Sequence, residues 1–356
     1  MSDKIQDSTK IIYSFTNDYS EGAHPNILKA LTESNLEQQD GYGEDYYCLE
    51  ATKLIKEKLY NPSAHIHFVT GGTQANLLVI SSILRPYESV IAADTGHINV
   101  HETGAIEAAG HKVNVAVSKD GKLTPNDING ILDIHTDEHM VKPRLVYISN
   151  STEIGTIYKK AELEKLSSFC KSNGLLLFLD GARLGSALCA KDNDLTLNEL
   201  SKLVDIFYIG GTKNGALLGE AIVINDEKIN RYFRFNIKQK GAMLAKGRIL
   251  GIQFLELFRD NLFFDLATHA NKMASKLSEN LEELGYKFMI KSTTNQIFPI
   301  LSNETIAKIS KRYSFSIWSS IDDEHSIIRL VTSWATNEAY VDRFLKDLKD
   351  LDATNK

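Results

Sequence analysis

The segment LLLFLDGARLG, residues 175–185, joins a strongly apolar run to a charged turn. Apolar residues in an unbroken row, bounded by turn formers, are typical of a strand that is buried on both faces of a sheet. A carboxylate directly after such a strand, as Asp180 is, loses hydration and needs a cationic or hydrogen-bonded partner. The segment therefore predicts a buried strand with a polar site at its carboxyl end. The plainer alternative is that Asp180 caps the next helix and pairs with Arg183.

Strand-like runs alternate with helix-like segments on both sides of this segment. The predicted strands are 65–69, 89–93, 112–117, 145–149, 175–179, 205–209 and 220–224. This alternation predicts an α/β fold with a mainly parallel seven-stranded sheet and helices on both faces. Only GGTKNGALLG, residues 210–219, separates the last two strands, which is too short for a crossover helix. We therefore expect these two strands to be antiparallel.

The pattern changes after residue 226. Apolar residues recur at helical spacing (Met273, Leu277, Leu281 and Leu284), and strand-like runs follow at 297–301, 315–318 and 327–331. These features predict a smaller C-terminal α+β domain. We expect an N-terminal arm at 1–44, a large domain at 45–260 and a small domain at 261–356. The arm is irregular and rich in turn formers, so we expect it to line a site or reach a neighbouring subunit.

Composition narrows the classes of function. The chain has 356 residues, 43% of them hydrophobic, with 40 basic against 46 acidic side chains and a net charge of −6. This mild acidity argues against a protein that binds nucleic acid or a membrane surface. The apolar runs are too short to span a bilayer, and the first ten residues lack the apolar stretch of a secretory signal. Three cysteines without metal or redox spacing predict reduced thiols, so we expect a cytoplasmic enzyme that acts on a small molecule.

A second predicted strand end carries glycines. Gly71, Gly72 and Thr73 lie where a strand leads into a helix. Free backbone N–H groups and a hydroxyl at a helix N-terminus can bind a phosphate. The plainer alternative is a simple strand-to-helix turn. Neither a Walker loop nor a dinucleotide fingerprint is present at this position.

A third strand end carries a lysine. Lys213 lies in a loop of small residues directly after an apolar run. Partial burial lowers the pKa of a lysine, and a neutral amine can form a Schiff base with a carbonyl group. A surface lysine in a turn is the alternative.

A fourth strand end carries two histidines. His97 and His101 are four residues apart, and Glu102 follows. On a helix this spacing places two imidazoles on one face, where they could bind zinc. The order H-x-x-x-H-E matches neither the H-E-x-x-H nor the H-x-x-E-H motif of zinc enzymes. The other interpretation is an imidazole stacked on a flat cofactor.

The four strand ends become informative when they are taken together. A pyridoxal phosphate site consists of a phosphate-binding turn, an aromatic side chain stacked on the ring, a carboxylate for the ring nitrogen and a lysine that forms the Schiff base. GGTQAN, the His97 segment, DGARLG and GGTKNG resemble motifs of the L-threonine aldolase/β-eliminating lyase family of fold-type I pyridoxal phosphate enzymes. The resemblance extends from FTNDYSEGAHP near the N-terminus to RLVTSW near the C-terminus.

The resemblance implies a role for each matched residue. For the cofactor, it implies that Lys213 binds the aldehyde with Thr212 beside it and that Asp180 holds the ring nitrogen. His97 would stack on the ring, and Arg183 would lie near it. Gly72 and Thr73 would hold the phosphate. For the substrate, it implies that Arg183, Arg329 and Asn17 bind the carboxylate and that His139 lies near the side-chain hydroxyl. Asn17 stands where the family often has serine. Lys238 matches a residue that reaches the phosphate of the neighbouring subunit.

The implied reaction is retro-aldol cleavage of a β-hydroxy-α-amino acid, threonine or allo-threonine, to glycine and acetaldehyde. The base for the hydroxyl proton is left open among His97, His139 and a water that they orient. The resemblance further implies a homodimer or homotetramer with active sites between subunits. The alternatives are another fold-type I lyase or transaminase and, more distantly, a zinc hydrolase that uses His97, His101 and Glu102.

Overall fold

The computed structural model of the chain describes residues 12–354. Its strands are β1 (Tyr13–Ser14), β2 (His65–Val69), β3 (Glu88–Ala93), β4 (Val113–Ala116), β5 (Lys142–Ser149), β6 (Leu176–Asp180), β7 (Ile206–Gly210), β8 (Glu220–Ile224), β9 (Lys287–Phe288), β10 (Gln296–Ile297), β11 (Pro299–Ser302), β12 (Tyr313–Ser314), β13 (Ser316–Ser320) and β14 (His325–Val331). Its helices are α1 (Pro25–Glu33), α2 (Tyr46–Leu59), α3 (Gly72–Ile83), α4 (His97–Val100), α5 (Ala105–Ala108), α6 (Pro125–Leu132), α7 (Lys160–Ser172), α8 (Leu184–Leu188), α9 (Leu197–Leu203), α10 (Glu227–Asn230), α11 (Phe233–Gln239), α12 (Arg248–Phe258), α13 (Leu262–Glu283), α14 (Asn303–Ile309) and α15 (Glu338–Thr354). None of these helices combines the length and the apolarity that crossing a membrane requires.

Seven strands form a large sheet in the order β2-β8-β7-β6-β5-β3-β4. Strand β8 runs antiparallel to both of its neighbours, and the other pairs are parallel. The mainly parallel seven-stranded sheet and the antiparallel pair β7–β8 are thus confirmed. In parallel strands the carboxyl ends meet at one edge, where ligands bind in open α/β sheets.

Both faces of this sheet are apolar. In β6, Leu177 and Leu179 pack into the core on one face, whereas Phe178 packs into the core on the other. Successive side chains of a strand point to opposite faces, so a strand covered on both sides is apolar at most positions. This explains why β3, β7 and β8 are buried along their whole length.

A second, antiparallel sheet follows β8 in the chain. Its order is β10-β14-β11-β9, and β13 pairs with β14. The 22-residue helix α13 packs Met273, Leu277 and Leu281 into the core beside this sheet, as their helical spacing predicts. Leu284, the fourth residue of that pattern, caps the helix and is half-buried. The domain boundaries near residues 44 and 260 stay a prediction.

The N-terminal arm lies against the second sheet. Strand β1 pairs in parallel with β12, and Val331 donates a backbone hydrogen bond to the carbonyl oxygen of Phe15. The arm is less irregular than its turn formers suggest, because it contains helix α1. Pro25 occupies the first turn of α1, where its missing N–H costs nothing, and Ile27 is completely buried.

Candidate active site

A cleft with a volume of about 320 Å³ lies at the carboxyl edge of the large sheet. The ends of β2, β5, β6 and β7 and the beginning of β8 contribute to its walls. Most of the residues that the sequence predicts for the site line it: Gly72, Thr73, His97, Asp180, Arg183, Thr212 and Lys213. The strand ends therefore place separate motifs around one space.

Asp180 ends β6 and is almost completely buried. Its Oδ1 accepts hydrogen bonds from the hydroxyl of Tyr208 at 2.5 Å and the backbone N–H of Ala182 at 3.0 Å. Its Oδ2 accepts from the hydroxyl of Tyr147 at 2.6 Å and from Nδ2 of Asn76 at 3.1 Å. Burial alone would raise the pKa of Asp180, but the two phenol hydrogen bonds, the nearby His97 and the Ala182 N–H together outweigh burial and hold the pKa below its ordinary value. Asp180 is therefore a fixed anion in the cleft.

Lys213 lies in the loop between β7 and β8. Burial lowers the pKa of Lys213, and the nearby Arg183 cation lowers it further. A buried acid holds the same loop, because Glu220 accepts hydrogen bonds from the Thr212 hydroxyl at 2.8 Å and from the Gly211 N–H at 3.1 Å. Burial raises the pKa of Glu220 to about 8. A lysine with a lowered pKa supplies the neutral amine that attacks a carbonyl carbon.

His97 begins the short helix α4 and faces the cleft. Its Nδ1 lies 2.8 Å from Oε1 of Glu102, and its backbone N–H donates to Oε1 of Glu153 at 3.1 Å. The ring centroids of His97 and His101 are 5.4 Å apart. Within residues 12–354, no group of three or more His, Cys, Asp and Glu side chains has a metal-binding arrangement. These residues therefore provide no ligand set for the zinc hydrolase alternative.

The arm brings Asp18 to Arg183. The guanidinium of Arg183 donates from Nε at 2.7 Å and from Nη2 at 3.0 Å to the two carboxylate oxygens of Asp18. Burial would raise the pKa of Asp18, but the Arg183 and Lys213 cations lower it below its ordinary value. Arg329 lies nearby and donates from Nη2 to the carbonyl oxygen of Thr16 at 3.3 Å. Its buried Nε has no hydrogen-bond partner within the described part of the chain.

Asn17, by contrast, closes a local turn. Its Oδ1 accepts from the N–H of Tyr19 at 2.9 Å and from the hydroxyl of Ser20 at 3.0 Å. Asn17 does not line the cleft, and the side chain of the arm that contacts Arg183 is Asp18.

The first residue of α3 lies beside the phenol of Tyr208. A Cβ atom on Gly72 would lie 3.0 Å from the Tyr208 hydroxyl oxygen, so a larger residue at this position would crowd the cleft. Glycine thus lets the N-terminus of a 12-residue helix approach the cleft closely. Such a terminus, with the Thr73 hydroxyl beside it, is suited to an anion.

Besides Asn17 and Arg329, two more predicted residues do not line this cleft. His139 is exposed in a turn before β5, whereas the cleft lies at the opposite end of that strand, beside Ser149. Eight strand residues span about 26 Å, so His139 lies far from this chain's own cleft. Its predicted place near the substrate hydroxyl stays a prediction. Lys238 is exposed on α11, with its Nζ 4.5 Å from the ring centroid of Tyr42. Its predicted role, in the site of a neighbouring subunit, stays a prediction.

The sequence analysis missed several partners of the predicted residues: Asp18, Asn76, Tyr147, Glu153, Tyr208 and Glu220. For the two tyrosines a signal existed. A tyrosine in the buried, apolar part of a strand has to find a partner for its hydroxyl, and both do so at Asp180. Asp18, Asn76 and Glu153 depend on contacts between distant parts of the chain, whereas Glu220 lies only eight positions from Thr212.

Known proteins resemble this chain over nearly its whole length. The family model described as β-eliminating lyase matches residues 18–304. A low-specificity L-threonine aldolase from Pseudomonas sp. is 32% identical over 341 residues, which cover 94% of this chain and 96% of that protein. The solved structure of Leishmania major threonine aldolase has a TM-score of 0.94 and 51% identity, and covers 95% of this chain and 99% of that chain.

More distant structures share the fold alone. A serine palmitoyltransferase from S. paucimobilis has a TM-score of 0.71 at 15% identity, over 96% of this chain and 87% of that chain. The predicted fold class, that of fold-type I pyridoxal phosphate enzymes, is confirmed by these likenesses.

Proposed function

We propose that this chain, which belongs to the β-eliminating lyase family, is a pyridoxal-phosphate-dependent aldehyde-lyase. Its proposed reaction is cleavage of the Cα–Cβ bond of L-threonine or L-allo-threonine to glycine and acetaldehyde. The observation that carries the proposal is the half-buried Lys213 in one cleft with the anionic Asp180. The threonine aldolases of Pseudomonas and Leishmania support this reaction over a transaminase or another lyase.

The residues of the cleft fit pyridoxal phosphate. The N-terminus of α3, at Gly72 and Thr73, lines the cleft and suits a phosphate, and the buried Asp180 anion suits a protonated ring nitrogen. In this assignment Lys213 would hold the aldehyde carbon, Gly72 and Thr73 the phosphate, and His97 one side of the ring. When bound, the cofactor withdraws the electron pair that remains at Cα as the Cα–Cβ bond breaks.

The arginines would bind the substrate carboxylate. Arg183 uses its Nε–H and one Nη2–H on Asp18, which leaves the second Nη2–H and both Nη1–H groups for a substrate. Arg329 adds its buried Nε, which has no protein partner within residues 12–354. Two guanidinium groups fix the plane of a carboxylate and hence the orientation of the bonds at Cα.

His97 is the residue of this cleft suited to take the proton of the substrate hydroxyl, directly or through a water. Since Nδ1 faces Glu102, Nε2 is the nitrogen available to act as the base. The Glu102 carboxylate would stabilise the imidazolium that forms. General-base assistance of this kind contributes roughly 10²–10⁴-fold.

The proposal includes an oligomer and a compartment. The exposed Lys238 supports a homodimer or homotetramer in which one subunit completes the phosphate site of another, and light scattering would give the number of subunits. The cytoplasm is the proposed compartment, supported by three cysteines that all have free thiols: Cys48, Cys170 and Cys189.

The test of the function is covalent capture of the cofactor. The protein is loaded with pyridoxal phosphate, reduced with borohydride and mapped by mass spectrometry, and acetaldehyde release from L-threonine is measured in parallel. We expect the reduced adduct on Lys213 and loss of both adduct and turnover in Lys213→Ala. Lys171→Ala, a change at an exposed helix position, is the control and should behave as the unmodified protein. Full aldolase activity in Lys213→Ala would overturn the proposal.

A further inference from the structure

Four hydrogen-bond donors surround the carboxylate of Asp180. Each oxygen accepts two of them, the hydroxyl of Tyr208 and the N–H of Ala182 on Oδ1, and the hydroxyl of Tyr147 and the amide of Asn76 on Oδ2. An ionised carboxylate only accepts hydrogen bonds, so each of these donors stabilises its charged form. Within residues 12–354, neutral groups rather than a lysine or arginine at ion-pair distance hold this charge.

The two phenols come from the strands on either side of Asp180. Tyr147 lies on β5 and Tyr208 on β7, and β6, which ends at Asp180, runs between them. Both tyrosines belong to the same core as Phe178, whose ring centroid lies 5.7 Å from that of Tyr147 and 6.3 Å from that of Tyr208. Since residues two apart share a face of a strand, Asp180 points to the same face as Phe178.

Because this surrounding is apolar, the phenol hydroxyls determine whether Asp180 stays charged. Tyr147 and Tyr208 are each 1% exposed, so water has little access to their hydroxyls. A buried carboxylate without donors takes up a proton, because burial disfavours the charged form. Hydrogen bonds to an ionised acceptor are short and about twice as strong as those between neutral groups, and both phenols lie at such short distances.

We propose that Tyr147 and Tyr208 are positioning residues that keep Asp180 ionised and thereby keep the proton of the bound cofactor on its ring nitrogen. This inference rests on the cofactor assigned under the proposed function. One proton is shared between a carboxylate oxygen of Asp180 and the ring nitrogen, and no bond between heavy atoms forms or breaks. Phenol donors stabilise the carboxylate and leave the proton on nitrogen, whereas their loss moves it to Asp180.

The experiment measures the position of that proton directly. The protein is loaded with pyridoxal phosphate that carries ¹⁵N in the ring, and the nitrogen chemical shift distinguishes the protonated from the neutral ring. The variants are Tyr147→Phe, Tyr208→Phe and the double variant, which remove hydroxyls and keep the ring volumes. Tyr158→Phe is the matched control, since Tyr158 is equally buried but hydrogen-bonds the N–H of Leu123 away from the cleft.

We expect a protonated ring in the unmodified protein and in the control. Each hydroxyl lost from Asp180 should move the proton equilibrium toward a neutral ring by about tenfold or more, with the largest shift in the double variant. The kcat for threonine cleavage should fall in the same order, while KM changes little. If the double variant does not fold, the two single variants carry the test.

A ring nitrogen that stays protonated in all the folded variants overturns the proposal, as does an equal shift in the control. Failure of the proposed function gives a different result. In that case the unmodified protein does not take up pyridoxal phosphate on Lys213, and no ring signal from bound cofactor is seen.

Discussion

Nδ1 of His97 lies 2.8 Å from Oε1 of Glu102, whose side chain has no exposed surface, while the imidazole itself is about one-third exposed to the cleft. Oε1 of Glu102 also accepts a hydrogen bond from Nδ2 of Asn76 at 2.7 Å, and the same Nδ2 reaches Asp180. One amide group thus links the carboxylate that orients the imidazole to the carboxylate assigned to the ring nitrogen. The positions of Glu102 and Asp180 are thus coupled through the side chain of Asn76.

Glu102→Gln should lower kcat for threonine by about 10- to 100-fold, the loss of one charge-assisted hydrogen bond. An amide in place of the carboxylate keeps the shape but no longer stabilises a protonated His97. The measurement is acetaldehyde release across a range of pH, because a change in the base also changes the pH profile. Glu107→Gln, at an exposed position in the same segment, is the control. A normal kcat in Glu102→Gln would show that Glu102 does not orient the base.

His97→Ala and His139→Ala should have opposite outcomes. His97 faces the cleft, so its removal should lower kcat by about 10²-fold or more, the usual contribution of a general base. His139 is exposed at the far end of β5, so its removal should leave kcat unchanged. Steady-state kinetics on the two variants side by side test this placement. A large loss in His139→Ala would mean that His139 serves the cleft of another subunit.

Asp18→Asn should destabilise the protein by roughly 3–5 kcal/mol near neutral pH, because it leaves the buried Arg183 cation without its partner. The pKa of Asp18 is lowered in the folded protein, so the stabilisation that its charge provides is complete above about pH 4. This stabilisation is lost as the pH falls through the lowered pKa. The difference in thermal midpoint between the two proteins should therefore shrink in acid.

Glu33→Gln removes one partner of the exposed pair Lys29–Glu33 and is the control for Asp18→Asn. It should leave the midpoint unchanged at neutral pH, because exposed ion pairs contribute little. A difference for Asp18→Asn that stays constant into acid would argue against an ionised Asp18.

Glu220→Gln should change how stability depends on pH in the cofactor-free protein. Burial raises the pKa of Glu220 to about 8, whereas an unfolded glutamate titrates near 4.3. Between these values the folded state holds the extra proton, so its free energy of unfolding falls with rising pH by up to about 1.4 kcal/mol per pH unit. The variant lacks this loss and should become more stable relative to the unmodified protein on going from about pH 5.5 to about pH 8.5. Thermal unfolding at both pH values, with Glu107→Gln as the control, measures this difference, and parallel curves would contradict it.

The sequence was informative where chemistry lies at strand ends. Asp180 and Lys213 each follow an apolar run, and such runs fix both the strand and the edge of the sheet at which it ends. His139 rests on the family resemblance rather than on a strand end, and it precedes β5, at the end of that strand away from the cleft. Contacts between distant parts of the chain cannot be predicted from strand ends. Asp18 and Arg183 are 165 positions apart, and neither local pattern indicates the other.

The arm has a consequence for the order of events during synthesis. The backbone of Phe15 bonds to Val331, and its ring packs against Phe344 with 5.2 Å between centroids. The segment that delivers Asp18 thus leaves the ribosome early, but its docking surface is among the last parts to be made. At roughly 5–20 residues per second, the arm waits about 15 to 65 s for that surface. During this time the Phe15 ring lacks its native partners from the C-terminal part of the chain.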